Sequence, residues 1–399
     1  MKKWLCILLS LMLALSCLAG CARLPETEEP SPSPEAETPE PSPEPDSSGA
    51  EPALDLAAAR SAYDLDAVVM TVDGAEINWN KYSSALFQYL YTFYAYYGIT
   101  DFNLELEEGR SIALMAKEYA YSALASNAMF HNKAKELGVS LTEEQISSID
   151  GEIDLYAALY YGGDKAALFD EAGISEEYYR YQAEAALLYD ALLAHYYGEN
   201  CADFPAEDAL AWAEDNEYLH AKHILLKTVD DGYNPLDEET VAEKRATAED
   251  ILGRLQAAGA AVRGDLFDAL MNEFSEDGGL ASYPDGYYFQ EGDMIPEFYE
   301  GTLALAPGEI SGIVEGFYGY HIIERLPLDV DQTADYDAST GSPRTLKALA
   351  ATELFENMLA EWYDAQDIRY AGDFEALDVN ALFPAAEPEA GAGEPAENG

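Results

Sequence analysis

The chain offers few residues of the kinds that usually do covalent or metal chemistry, and their spacing excludes most of it. Four cysteines are present. Cys201 sits in the short connection Gly198-Glu199-Asn200-Cys201-Ala202 with no histidine at a meaningful spacing, so it reads as incidental rather than as a nucleophile. His220 and His223 look like a metal pair, yet their odd separation on a strand points them to opposite faces. What remains is a series of short motifs in order: His220-Ala221-Lys222-His223-Ile224-Leu225-Leu226, Phe274-Ser275-Glu276-Asp277, and Phe289-Gln290-Glu291-Gly292-Asp293-Met294 with Phe298 four residues on. Gly308-Glu309-Ile310-Ser311 and Tyr318-Gly319-Tyr320-His321-Ile322-Ile323 complete it. They combine imidazoles, carboxylates and large apolar side chains, a set suited to non-covalent work on a substrate.

The elements that must carry these motifs follow from local pattern. Residues 219–227 alternate as a strand, 238–258 and 264–274 read as helices, a short helix lies near Pro296, and 309–314 and 319–326 read as strands. Upstream, 67–77 alternates around Asp73-Gly74, the signature of a hairpin. Asn78 or Asn80 caps a tyrosine-rich helix through Tyr97, a long helix covers 104–137 up to Gly138, and Thr142 with Gln145 forms a capping-box pattern. Ser175 caps a helix to His195, and Pro205 opens a short one ending near Asp215. Downstream, Ser342-Pro343 starts a helix to about Tyr363, followed by the strand-like 367–370. The tyrosines of the upstream helices suit either loose contact with client chains or the filling of a helical core.

Residues 219–328 resemble the parvulin family of peptidyl-prolyl cis/trans isomerases, and the five ordered motifs over about 110 residues carry the match. The resemblance implies an α+β fold: a four-stranded antiparallel sheet with surrounding helices, inserted in a mainly helical chaperone domain. It places His223 and His321 on the two central strands, puts Asp277 beside them as the third catalytic position, and makes Phe289, Met294, Phe298 and Tyr318 the substrate-binding set. It implies no cofactor and no metal. One motif departs from the family, whose bacterial members carry a GGDLGW-like turn where this chain has 278–288, Gly-Gly-Leu-Ala-Ser-Tyr-Pro-Asp-Gly-Tyr-Tyr. The residue that closes the pocket opposite Met294 is therefore open. Phosphate-directed parvulins use a basic cluster after the first strand, whereas 228–240 holds five acids and no base. Unphosphorylated X-Pro segments are the expected substrates.

The ends set the compartment. Residues 1–21 read as a secretion signal, with Lys2 and Lys3 before an apolar run, and Leu18-Ala19-Gly20-Cys21 resembles the bacterial lipobox, which implies lipidation at Cys21. Cys6 and Cys17 leave with the signal and Cys21 is consumed, so the mature chain has no disulfide framework. Residues 22–56, rich in Pro, Glu and Ser, bury too little to offset their ordering entropy and read as a disordered tether; 384–399 reads as a disordered tail. The formal charge of −55 excludes nucleic acid and anionic head groups as partners. The full arrangement, with 57–218 and a returning 329–383 as one chaperone domain around 219–328, resembles PrsA-like extracytoplasmic foldase lipoproteins. It implies unfolded or partly folded secreted polypeptides as partners and a lipid anchor on the outer face of the cytoplasmic membrane. The alternative reading is a catalytically silent parvulin scaffold acting as a holdase.

Overall fold

Asp73 and Gly74 both adopt left-handed backbone, with φ of 50° and 80°, which gives the primed turn whose twist matches the flanking strands. That turn closes β1 (Val68–Val72) on β2 (Ala75–Asn78). Near the other end of the chain, Ile368–Tyr370 adds antiparallel to the free edge of β1 and completes a three-stranded sheet. Residues 54–337 and 340–383 are described in this computed structural model; the signal, Cys21, most of the tether and the tail lie outside them. The described residues divide into two compact units: one holds those up to Tyr196 and from Glu356 onward, the other those of Tyr197–Phe355.

In the first unit the caps decide where helices begin and end. Asn78 Oδ1 accepts the Lys81 N–H at 3.0 Å and opens helix Trp79–Tyr97, which Gly98 ends in left-handed conformation. Thr142 and Gln145 form the reciprocal capping box of helix Glu143–Tyr161. The long helix runs Ile112–Leu137, eight residues shorter than the sequence pattern suggests. Glu105–Glu107 and Arg110–Ser111 instead pair as β3 and β4, because left-handed Gly109 (φ 74°) turns the chain and Ser111 Oγ caps the helix through the Leu114 N–H. The tyrosines divide. Tyr82 and Tyr178 are fully buried beside Trp79, Phe87 and Leu90, whereas Tyr97 at the helix end is 72% exposed.

The second unit is built on an antiparallel sheet of order β6-β5-β8-β7, comprising β5 (Leu219–Lys227), β6 (Tyr287–Phe289), β7 (Ile310–Gly316) and β8 (Gly319–Leu326). The two central strands are β5 and β8. Alternation sorts their faces. Ile224, Leu226, Tyr320 and Ile322 pack on Ile251, Leu255, Phe267 and Leu270 of helices Glu238–Ala257 and Ala260–Phe274. The second of these helices starts four residues before the glycine that the sequence suggested. On the opposite face Leu219, Ala221 and Ile323 meet Phe289, Phe298 and Tyr299, the last two from helix Pro296–Leu303. After the sheet, β9 (Thr333–Tyr336) pairs with β10 (Pro343–Thr345), a hairpin the sequence did not reveal. Helix formation is postponed to Leu346, where Thr345 Oγ1 accepts the Ala348 N–H; Pro343, lacking an N–H, suits the strand position instead.

Candidate isomerase site

β6 is only three residues long and covers β5 from Leu219 to Ala221. Beyond it the backbone of β5 needs other partners, and the segment after helix Ala260–Phe274 supplies them. Ser275 Oγ accepts the Leu225 N–H at 3.1 Å, the Glu276 N–H donates to the Leu225 carbonyl at 2.8 Å, and Glu276 Oε2 accepts the Lys227 N–H. This pairing sets Asp277 beside the strand, where its Oδ2 lies 3.1 Å from His223 Nε2. On β8, His321 stands opposite Leu225, two residues from His223 on the same face, and the two Nδ1 atoms are 3.0 Å apart. The imidazole planes differ by 12°.

A second donor reaches the same carboxylate: Tyr287 Oη lies 2.5 Å from Asp277 Oδ2, while the Gly279 N–H donates to Oδ1 at 3.1 Å. Burial would raise the Asp277 pKa, but the hydrogen bonds from His223, Tyr287 and Gly279 outweigh it and hold the carboxyl well below the usual range. Burial also governs His321, pushed down to about 3, with the neighbouring His223 adding to the effect. His321 is therefore a neutral imidazole at ordinary pH. Its Nε2 is buried with no hydrogen-bond partner among the described residues.

These groups open on one cavity of about 530 Å³, lined by His223, Asp277, Tyr287, Met294, Phe298, Tyr318 and His321 among others. Phe298 stands edge-on to both histidines, with centroids at 5.0 Å from His223 and 5.6 Å from His321. Six of the seven residues proposed from the sequence for this site thus line a single cavity. The seventh, Phe289, is one layer back: it is 1% exposed, packs 5.5 Å from Phe298 and takes no part in the lining. Sequence reasoning missed Tyr287, although the alternation of Tyr287-Tyr288-Phe289 before Met294 signals that Tyr287 and Phe289 share a face. The rim carries Asp230, Asp231 and Asp293 against the single cation Lys227. Asp230 Oδ1 is occupied by the N–H groups of Gly232 and Asn234, which stiffen that loop. His220 faces away from the cavity and lies between the carbonyls of Pro327 and Asp285, at 2.9 and 3.0 Å. Among the described residues no group of three or more His, Cys, Asp or Glu side chains is arranged to hold a metal.

Residues 209–326 match the family described as the PPIC-type PPIASE domain. The foldase protein PrsA of Halalkalibacterium halodurans is 35% identical over 27% of this chain and 37% of its own. The chaperone SurA of Nitrosospira multiformis is 32% identical over 39% of this chain and 32% of its own, so the chain spans about a third of the length of either relative. A longer alignment, to the foldase protein PrsA of Caldanaerobacter subterraneus, covers 64% of this chain and 70% of that protein at 27% identity.

Proposed function

We propose, from the premise that this chain carries a PPIC-type, parvulin peptidyl-prolyl isomerase domain, that it accelerates cis/trans exchange of X-Pro bonds in polypeptides still folding outside the cytoplasmic membrane. The observation that supports this reading is the shared cavity, in which an apolar cup of Met294 and Phe298 adjoins the ordered polar chain Asp277–His223–His321.

Rotation about X-Pro is slow because the C–N bond has partial double-bond character, with a barrier of about 18–20 kcal/mol. No bond to a heavy atom needs to break. A surface that favours the twisted amide over the planar one is a catalyst, and a gain of about 10³ to 10⁴ requires only roughly 4 to 5.5 kcal/mol of differential stabilisation. Met294 and Phe298 grip the ring, with Phe289 holding Phe298 from behind and Tyr318 at the rim. Asp277, His223 and His321 set the field around the carbonyl that swings. The acids of the rim disfavour a phosphorylated residue next to the proline.

The helical unit is assigned a client-holding role, in keeping with the foldase and chaperone names of the relatives, and Cys21 the role of a lipidated anchor. A multiply acylated cysteine holds a protein stably at a membrane, where a single chain does so only marginally. Exchange NMR on unphosphorylated proline peptides tests the central claim: an inactive wild-type protein leaves a scaffold that holds clients without catalysis. Loss of detergent partitioning on Cys21→Ala is the expected result for the anchor, and unchanged partitioning refutes it.

A further inference from the structure

We propose that Tyr287 is a positioning residue of this site, its hydroxyl fixing the Asp277 carboxylate and, through it, the proton order along His223 and His321. The inference rests on the isomerase reading above and adds a residue to it from the loop where this chain departs from the family pattern.

The register of the sheet makes the contact possible. Tyr287 pairs with Ala221, two residues from His223, so both side chains fall on one face, and the rings meet edge-on at 5.9 Å. Gly279 admits the phenol: a Cβ there would overlap the Tyr287 hydroxyl. The same residue donates its N–H to Asp277 Oδ1. Tyr283 packs on the Tyr287 ring at 4.9 Å and holds it in place.

Hydrogen-bond valence does the rest. An ionised carboxylate only accepts, so Tyr287 Oη–H and His223 Nε2–H both donate to Asp277 Oδ2, at 2.5 and 3.1 Å. In the neutral form of His223, Nδ1 is bare and accepts from His321 Nδ1–H across 3.0 Å. That leaves His321 Nε2 without a proton, in a residue 3% exposed that lines the cavity. Gly316 adds no side chain beside it, where a Cβ would touch His321 Nε2 at 3.6 Å and crowd Ile295 Cδ1 at 2.6 Å. A buried acceptor left unpaired carries its full desolvation cost, which the ordered chain of donors from Tyr287 to His321 sustains at this site.

The titratable groups around Asp277 are His223, His321, Tyr283 and Tyr287, with Lys227, Asp230, Asp231 and Asp293 about the same cavity. Removing the phenolic donor frees the Asp277 carboxylate to swing from His223, which loosens the proton order, and lets it take up a proton more readily at acid pH. In the full chain, Tyr287→Phe is expected to lower kcat/KM on unphosphorylated peptides about three- to tenfold at neutral pH and to move the acidic limb of the pH–rate profile up by roughly one unit. The imidazole ¹⁵N shifts of His321 should report protonated Nδ1 and bare Nε2 in the wild type, and a mixture in the variant. Gly279→Ala should reproduce these changes by displacing the phenol. Tyr288→Phe, whose hydroxyl bonds the Asp329 carbonyl instead, should not. A folded Tyr287→Phe protein with wild-type rate, pH limb and ¹⁵N shifts overturns the proposal. Should that variant fail to fold, the wild-type tautomer decides alone, and a bare Nδ1 on His321 overturns it. Inactivity of the wild type would instead sink the isomerase reading itself.

Discussion

The two units bury polar groups of different kinds. In the helical unit the buried polar side chains are Ser83, Ser84, Gln88, Asn127 and Gln182, all neutral at every pH the protein meets. Ser84 Oγ accepts the Ser175 N–H at 2.9 Å, and Tyr178 links Gln88 and Gln182, so these groups lock helices together. In the isomerase unit the buried set includes His220, His223, His321 and Glu324, whose charge depends on pH. Fixed dipoles suit a frame that only has to hold its shape, while ionisable groups in a low-dielectric site give a field that chemistry can use.

The largest expected effects test whether the units are energetically separate. Phe298→Ala removes a buried ring from the isomerase unit and Trp79→Ala one from the helical unit, each costing about 3–5 kcal/mol. Calorimetry should show two transitions, each variant lowering its own. If either variant lowers both transitions equally, the division fails. Next in size, Asp277→Asn should cut turnover about ten- to a hundredfold, equivalent to about 1.4–2.7 kcal/mol, while lowering the isomerase transition and leaving the helical one near its wild-type temperature. A variant as active as wild type would remove the carboxylate from the site.

The pH dependence sharpens the comparison further. The folded pKa of His321 is pushed down to about 3 from 6.5, mainly by burial, so between these values the unfolded chain binds more protons than the folded one. Its contribution to stability is complete above about 6.5 and is lost progressively as pH falls toward 3. Asp277, held low by its donors, acts in the same direction only below its unfolded value of 3.8, whereas His220, lowered by burial, acts in the same window as His321. In the helical unit His131 does so too, but Asp190, raised by burial, works against it. Acidification from pH 7 to 5 should therefore lower the isomerase transition more than the helical one, and His321→Gln should flatten that difference. Equal slopes for His321→Gln and wild type in urea titrations would contradict the sign argument. The smallest effect is local to one helix: Asn78→Ala removes the cap of Trp79–Tyr97 and should cost about 1 kcal/mol, seen in the helical transition alone.

Much of this molecule was legible before folding was considered, and the reason differs by element. The hairpin at Asp73-Gly74, the caps at Asn78 and Thr142 and the central strands are encoded within a few residues each, by turn conformation, capping groups and alternation. The motifs bearing His223, Asp277, Met294, Phe298, Tyr318 and His321 were also legible from their order along the chain, although only His223, Phe298 and His321 sit on such elements and the other three lie in the connections between them. The errors fall where a neighbouring hairpin partner overrides the helical preference. Residues 105–111 belong to a helical pattern yet pair as strands, and Pro343–Thr345 is drawn into β10 by β9 before its helix can begin.

The sequence by itself determined which side chains are available to the site and the order in which the chain presents them. Only the tertiary structure decided their distances: that β6 stops early and leaves β5 to bind Ser275 and Glu276, that Phe289 withdraws behind Phe298, and that Tyr287 reaches Asp277. Caps and alternation are interactions within a few residues and can be read from the string. Tyr287 and Asp277 are separated by a loop of no regular period, and their hydrogen bond exists only because the sheet register and the missing side chain of Gly279 bring the two oxygens together.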